Sequence, residues 1–313
     1  MPKIVISEFM DEQAAASLED RFAVVFDTAL VEERATLLAA VAEADGIIVR
    51  NRTQVDVELL AAAPRLKVVG RLGVGLDNID LDACKARGVS VKPAHGGNGS
   101  SVAEYVLTGA LMLRRQAYFA SHVMLAGEWP RQALIGREVA GSTLGLVGFG
   151  AIAQETARRA SALDMEVAAF DPHLSAEAPE WSGVERHDSL ASLLEAADVI
   201  SLHVPLTEAT RYLIDAEALG RMKSDAVLIN AARGGTVDEA ALADALRNER
   251  LAGAMLDVFE QEPLPAGSVL EGVPNLILTP HIAGVTQESN ARISQMTADN
   301  VRAVLVQSAE VHS

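Results

Sequence analysis

Arg233, Glu262 and His281 are an arginine, a carboxylate and an imidazole, the set of side chains that could bind an anionic hydroxy acid and move its hydroxyl proton. Arg233 stands in Asn230-Ala231-Ala232-Arg233-Gly234-Gly235, directly after an apolar strand-like run. Its planar guanidinium could grip a carboxylate through paired donors and polarise the reacting oxygen, which a lysine would do less well. His281, in Thr279-Pro280-His281-Ile282-Ala283-Gly284, follows a later strand-like run in the same way, and Glu262, in Asp257-Val258-Phe259-Glu260-Gln261-Glu262-Pro263, could pair with that imidazole, favour its protonated form and fix its tautomer. Singly, each has an ordinary reading as a surface arginine, a helix-capping histidine or a solvated glutamate. Their order after successive strands makes a shared site the stronger reading. Oxidation of a 2-hydroxy acid to a 2-keto acid also needs a hydride acceptor, so a dinucleotide site should lie upstream.

One is present. In Thr143-Leu144-Gly145-Leu146-Val147-Gly148-Phe149-Gly150-Ala151-Ile152-Ala153, an apolar run enters Gly-x-Gly-x-x-Ala and then a helix-compatible stretch. Gly148 permits the tight turn, Gly150 lets the backbone approach a pyrophosphate, and Ala153 is small enough for close helix packing. The amides at the helix start, Ala151 and Ile152, face the phosphates with the positive end of the helix dipole. Asp171 lies 23 positions after Gly148 at the end of the next strand-like run, where a carboxylate would accept hydrogen bonds from both ribose hydroxyls and repel a 2′-phosphate. NAD rather than NADP is expected. A bare strand-to-helix turn is the weaker alternative.

A second basic pair, Arg50 and Arg52 around Asn51, follows another apolar run. If it points at the substrate, it suits a phosphate or sulfonate on C3 better than a methyl group; solvated arginines at a strand end are the competing reading. 3-Phosphoglycerate and 3-sulfolactate therefore stand level, ahead of lactate, glycerate or glyoxylate. No His/Cys/carboxylate cluster with metal-ligand spacing is found, and no metal is expected. Cys84 is alone, which excludes an internal disulfide framework, and reads as a small buried residue.

These residues need a scaffold of alternating elements. Strands are expected at Ile4–Ile6, Ala23–Phe26, Gly46–Val49, Val68–Arg71 and Val89–Val91, with helices at Glu12–Leu18, Glu32–Ala42, Val55–Ala62 and Leu81–Ala86. After the helix Val102–Arg115 a second series has strands at Thr143–Val147, Glu166–Phe170, Val199–Leu202, Ala226–Asn230, Ala254–Leu256 and Leu276–Leu278. Its helices are Ala151–Leu163, Leu190–Ala196, Ala216–Met222 and Glu239–Asn248. A last helix, about Gln287–Val304, is too short to be a domain and is expected to pack back on the first. The fold class is α/β with two doubly wound parallel-sheet domains: a flavodoxin-like substrate domain at 1–98 plus 285–313, and a Rossmann NAD-binding domain at 99–284.

The 313 residues carry 43 acidic and 26 basic side chains, a formal charge of -17 that disfavours nucleic acid and anionic membrane surfaces as partners. No apolar run is long enough to cross a bilayer, and the chain opens on a strand-like segment rather than a signal peptide, so a cytoplasmic protein is expected.

The motifs GRLGVGLDNID (70–80), NGSSVAE (98–104), GLVGFGAIA (145–153), LHVPLT (202–207), NAARGGTVDE (230–239), LDVFEQEP (256–263) and LTPHIAG (278–284) resemble, in order and over essentially the whole chain, the D-isomer-specific 2-hydroxyacid dehydrogenases, near the phosphoglycerate dehydrogenase branch. The resemblance implies that Arg233, Glu262 and His281 are the family's catalytic arginine, glutamate and acid/base histidine, and that Asp257 holds the nicotinamide carboxamide. It implies backbone contacts near the nicotinamide from Ala231 and Ala232, and adds Gly284 to the cofactor contacts. His203, Val204 and Pro205 would line the adenine-ribose side, with Thr207 near the phosphates. For the substrate it implies the backbone of Val74 and Gly75, with Asn98 at the crossing between domains and the acid lying in a cleft that closes on turnover. Ala153 in place of the commoner third glycine puts helix spacing in question. No regulatory extension is expected after the terminal helix. Tyr118–Ile135, with Phe119, Trp129 and Pro130, would be an arm that contacts a second subunit in a homodimer, or else a lid or surface loop. An NAD-sensing corepressor that keeps the triad, or an interaction protein with a vestigial site, are the competing functional classes; loss of a motif would favour the latter, and none is lost.

Overall fold

The computed structural model describes residues 1–310, without the side chains of residues 119 and 308–310. Residues 311–313, which end the expected substrate domain, and the Phe119 side chain of the expected arm lie outside the described residues. The chain divides into two compact units, Met1–Asn98 together with the stretch from Val285 onward, and Gly99–Gly284.

The first unit is a parallel five-stranded sheet: β1 (Lys3–Ile6), β2 (Ala23–Phe26), β3 (Gly46–Val49), β4 (Val68–Arg71) and β5 (Ser90–Pro93), in the order β2-β1-β3-β4-β5. The central strand β3, Gly-Ile-Ile-Val, is buried along its whole length because helices cover both faces. One face packs Leu37, Leu59 and Leu60 against Val5, Ile47 and Val69. The other packs Ile4, Ile6, Ile48 and Val68 against Ala298, Val301 and Leu305 of the last helix, Gln287–Glu310. Gly70 admits that helix: a Cβ there would stand 2.5 Å from Val301 Cγ2 and 2.8 Å from Thr297 Cγ2. The helix runs past the expected Val304. The helix expected over Glu32–Ala42 runs from Arg34 to Val41, preceded by a separate 3-10 turn, Thr28–Val31. Val55 is drawn out of the expected helix by bridging to Ile79, so that helix starts at Val57 with Asp56 as its cap.

The second unit is a parallel seven-stranded sheet: β6 (Thr143–Val147), β7 (Glu166–Phe170), β8 (Glu185–Arg186), β9 (Val199–Leu202), β10 (Val227–Asn230), β11 (Gly253–Leu256) and β12 (Leu276–Leu278). The order β12-β11-β10-β9-β6-β7-β8 reverses direction between β6 and β9, the switch point where such sheets leave a crevice at their carboxyl ends. β8 is two exposed residues and carries no sequence pattern that would have marked it. The helix Gly99–Arg115 covers one face, packing Val106 and Ala110 against Leu144, Ala153 and Ala157. Among the described residues no helix is long and apolar enough to cross a membrane.

Candidate active site

At the switch point β6 ends and the chain turns at Gly148, φ +86°. A Cβ there would lie 2.6 Å from the His203 carbonyl oxygen and 2.9 Å from Val204 Cγ1, so glycine is what lets the ends of β6 and β9 approach. Gly150 caps the helix Ala151–Ser161; a Cβ on it would meet nothing within 4 Å, and no side chain caps that helix. By contrast Ser189, Asp215 and Asp238 cap the three helices that follow. The first amides of Ala151–Ser161 thus face open space with the positive helix end behind them, which fits a dinucleotide pyrophosphate. Ala153 is fully buried, so the missing third glycine does not loosen the helix from the sheet.

Asp171 sits at the end of β7 on the rim of this cradle. Phe149 N–H donates to its Oδ2 at 2.9 Å and His173 N–H to its Oδ1 at 2.8 Å, which fixes the carboxylate where a ribose would lie. His203 shares a 3.0 Å hydrogen bond with Ser201 Oγ, and burial lowers its pKa to about 4, so the ring is neutral at pH 7. Val204 is half-buried and Pro205 exposed beside it. Thr207 is engaged in a reciprocal turn with Thr210, through Thr207 N–H to Thr210 Oγ1 at 2.8 Å and Thr210 N–H to Thr207 Oγ1 at 3.3 Å.

Arg233, Glu262 and His281 follow β10, β11 and β12, three adjacent strands. The Arg233 turn is clamped by buried Asn230, whose Nδ2 donates to the Arg233 carbonyl at 3.0 Å and to Thr236 Oγ1 at 3.1 Å, while its Oδ1 accepts from Ala232 N–H at 3.1 Å. Gly234 presses on the Phe259 carbonyl, which a Cβ would approach to 1.7 Å, so this turn rests on the segment that carries Glu262. Ala231 and Ala232 are half-buried on the same turn.

The His281 loop is organised by Asp257, at the end of β11. Asp257 is 1% exposed; Oδ1 accepts from Thr279 Oγ1 at 2.6 Å and Ile282 N–H at 2.8 Å, and Oδ2 from Ala283 N–H at 2.7 Å. Both oxygens are engaged within the chain, so Asp257 shapes the loop running to Gly284. Thr279 in turn meets Tyr105 Oη at 2.6 Å, and burial, foremost, pushes that phenol up to about 12. His281 itself has φ +56°, a left-handed conformation uncommon for a residue with a Cβ, held by its N–H bond to the Asp257 carbonyl at 2.8 Å. Its Nδ1 lies 2.7 Å from Glu262 Oε2, and Glu262 Oε1 accepts from Phe259 N–H at 3.1 Å. Burial alone would raise the Glu262 carboxyl; the His281 hydrogen bond and charge, with help from Phe259 and Arg233, outweigh it and hold the carboxyl below its ordinary value. The arrangement leaves Nε2 as the ring atom that can exchange a proton with a ligand.

In the first unit Arg50 is half-buried, with Nη2 donating to Asn290 Oδ1 at 2.9 Å. Arg52 diverges from it: its Nη2 pairs with Glu32 Oε1 at 2.5 Å on the exposed surface. Asn51, between them, is exposed. The N–H groups of Val74 and Gly75, in the loop after β4, receive no acceptor among the described residues. Asn98 Oδ1 is buried without a hydrogen-bond partner. Sequence reasoning missed Asn230, Tyr105 and Thr279; Asn230 alone had a signal, as the last residue of an apolar strand ahead of a glycine pair.

Residues 107–283 match the model of the D-isomer specific 2-hydroxyacid dehydrogenase NAD-binding domain. The (S)-sulfolactate dehydrogenase of Chromohalobacter salexigens is 62% identical over 97% of this chain and 99% of its own length. The D-3-phosphoglycerate dehydrogenase of Mycobacterium leprae is 42% identical over 97% of the chain, which spans only 57% of that longer protein. Among solved structures, the TT0316 protein of Thermus thermophilus superposes with a TM-score of 0.88 at 35% identity, covering 97% of both chains. A glyoxylate reductase from Paecilomyes thermophila gives 0.85 at 27% identity, over 96% of this chain and 94% of that one. The chain belongs to the D-isomer specific 2-hydroxyacid dehydrogenase family, and is an NAD-dependent dehydrogenase of that family.

Proposed function

We propose that this enzyme interconverts a C3-anionic 2-hydroxy acid and its 2-keto acid, with 3-sulfolactate as the foremost substrate and 3-phosphoglycerate as the second. The observation that carries the chemistry is the 2.7 Å His281–Glu262 pair beside the Arg233 turn, at the ends of adjacent strands of the sheet that builds the Gly148–Gly150 cradle. The Gly148–Gly150 turn and the first amides of the following helix would hold NAD, which would supply the hydride acceptor for C2. Arg233 holds the substrate carboxylate and draws electron density from the reacting oxygen. His281 Nε2 removes the hydroxyl proton in oxidation and returns it in reduction, while Glu262 at Nδ1 keeps the ring oriented and offsets the charge it gains. Within the first unit, the Val74 and Gly75 N–H groups are further candidate donors to a substrate anion. Asp171 selects NAD over NADP by repelling a 2′-phosphate. The high identity to a sulfolactate dehydrogenase across both full lengths favours sulfonate over phosphate; the half-buried Arg50 favours either over a C3 methyl or hydroxyl.

The active form is a cytoplasmic homodimer in this reading. Tyr118, Leu125, Trp129 and Ile135 are 60%, 90%, 73% and 68% exposed along Tyr118–Ile135, an apolar series that a second copy would cover. The test is reduced-nicotinamide formation, NADH from NAD and NADPH from NADP, with 3-sulfolactate, 3-phosphoglycerate, glycerate and lactate. The expected order of kcat/KM is sulfolactate, then phosphoglycerate, then the simple acids, with NAD ahead of NADP. Equal use of lactate would overturn the C3-anion reading, and absence of turnover with every acid would overturn catalysis.

A further inference from the structure

We infer that the buried carboxylate of Glu8 is a specificity-positioning residue: it fills the amide cradle at the switch point of the first sheet and thereby leaves recognition of the substrate's C3 anion to the Arg50 guanidinium. The inference rests on the C3-anion reading above and extends it to residues that do not touch the substrate.

The order β2-β1-β3-β4-β5 puts the switch point of that sheet between β1 and β3. Glu8 lies two residues beyond the end of β1, and Arg50 one residue beyond the end of β3. At such a point successive backbone N–H groups commonly meet an external anion. Here they meet an internal one. Glu8 is 5% exposed; its Oε1 accepts from Arg50 N–H at 2.8 Å and Thr53 N–H at 2.9 Å, and its Oε2 accepts from Asn51 N–H at 3.3 Å and Arg52 N–H at 3.2 Å. Four consecutive amides are thus spent on one carboxylate. The loop is also pinned behind Glu8: Thr53 Oγ1 shares a 2.9 Å hydrogen bond with Ser7 Oγ, and Asn78 Nδ2 donates to the Thr53 carbonyl at 2.6 Å.

The consequence falls on Arg50. Its guanidinium touches only a neutral acceptor, Asn290 Oδ1, and the edge of cation–π range over Phe9, 6.0 Å from the ring centroid; no carboxylate lies within ion-pair distance among the described residues. Burial lowers the Arg50 guanidinium from its ordinary value, and the charge of nearby Glu8, whose own oxygens are turned to the amides, offsets only part of that. Arg52, on the same loop, is paired instead with Glu32 on the exposed surface. The geometry therefore offers an incoming anion one pre-set guanidinium and no free amides, which suits a tetrahedral oxyanion gripped by a planar fork.

The experiment compares Glu8→Gln and Asn290→Ala with the wild-type enzyme, measuring kcat and KM for 3-sulfolactate and for lactate, together with NAD affinity. In Glu8→Gln the amide nitrogen would face two backbone N–H donors, so the loop shifts and Arg50 with it. KM for sulfolactate should rise about 10- to 100-fold with kcat within about threefold, while lactate kinetics and NAD affinity stay near wild type. Asn290→Ala, which leaves the loop intact and frees the guanidinium, should give the same substrate-dependent split at about three- to tenfold. If both variants lose activity equally toward both acids, or if Asn290→Ala changes neither substrate while Glu8→Gln fails to fold, the assignment is overturned and the C3-anion reading stands on the wild-type data. If the wild-type enzyme does not prefer sulfolactate or phosphoglycerate over lactate, the C3-anion reading itself falls, and this inference with it.

Discussion

His281 combines a left-handed backbone with a ring oriented by a carboxylate at 2.7 Å, two features that rarely coincide in a residue whose role is only structural. Left-handed geometry costs on the order of 1 kcal/mol, and here the Asp257-organised loop compels it. Glu262→Gln keeps a hydrogen-bond partner for Nδ1 but removes the charge that balances a protonated ring. It should lower kcat about 10- to 100-fold with the KM for NAD unchanged, as read by steady-state kinetics. His203 gives a different test at the same scale. Its folded-state pKa is depressed from 6.5 to about 4 by burial, so its neutral form stabilises the fold fully above pH 6.5, and that stability is lost as pH falls from 6.5 through about 4. Thermal melts across this range should show a steeper loss for the wild-type protein than for His203→Gln. Superimposable profiles would remove His203 as a source of acid sensitivity.

Three loops, after β10, β11 and β12, hold the site, and each is tied by a buried polar side chain from a strand end or its neighbour. Asn230 clamps the first, and Asp257 ties the second to the third. Gly234 brings the first loop down on Phe259. Gly234→Ala cannot fit without moving that backbone, so it should destabilise the fold by about 1 to 3 kcal/mol and reduce kcat/KM for the hydroxy acid more than NAD affinity. Denaturant melts and titration with NAD would check the two halves of that statement. At this scale the sequence was legible where a pattern repeats. Most strands and the residues directly after them could be read, because a parallel strand buried on both faces is a continuous apolar run. The clamps could not be read. Tyr105 and Thr279 meet across 174 positions, and nothing in either neighbourhood marks the contact. The helix expected from Val55 starts at Val57 because Val55 pairs with Ile79, a long-range preference that local periodicity does not encode. Arg50 and Arg52 look equivalent as letters, and only distant partners, Asn290 for one and Glu32 for the other, separate them.

At the scale of the whole molecule, the formal charge of -17 is partly functional in folding, since Asp11, Asp56, Asp80, Asp215 and Asp238 each cap a helix N-terminus. The helix that follows Gly148–Gly150 departs from this habit and has no side-chain cap. A strongly acidic molecule that handles an anionic acid must concentrate its cations locally, as at Arg233 and Arg50. The apolar series from Tyr118 to Ile135 belongs to this scale as well. If the proposed homodimer forms through it, Trp129→Glu should lower the sedimenting mass from twice the chain mass to that of one chain, and an unchanged sedimentation coefficient would remove this segment from the interface. The proposed proton exchange at His281, beside a bound nicotinamide, is read by stopped-flow NADH formation with wild-type and His281→Ala proteins at saturating NAD and 3-sulfolactate. The expected rate is at least about 100-fold lower in the variant, with NAD affinity within about twofold of wild type. A His281→Ala protein that formed NADH at the wild-type rate would contradict it.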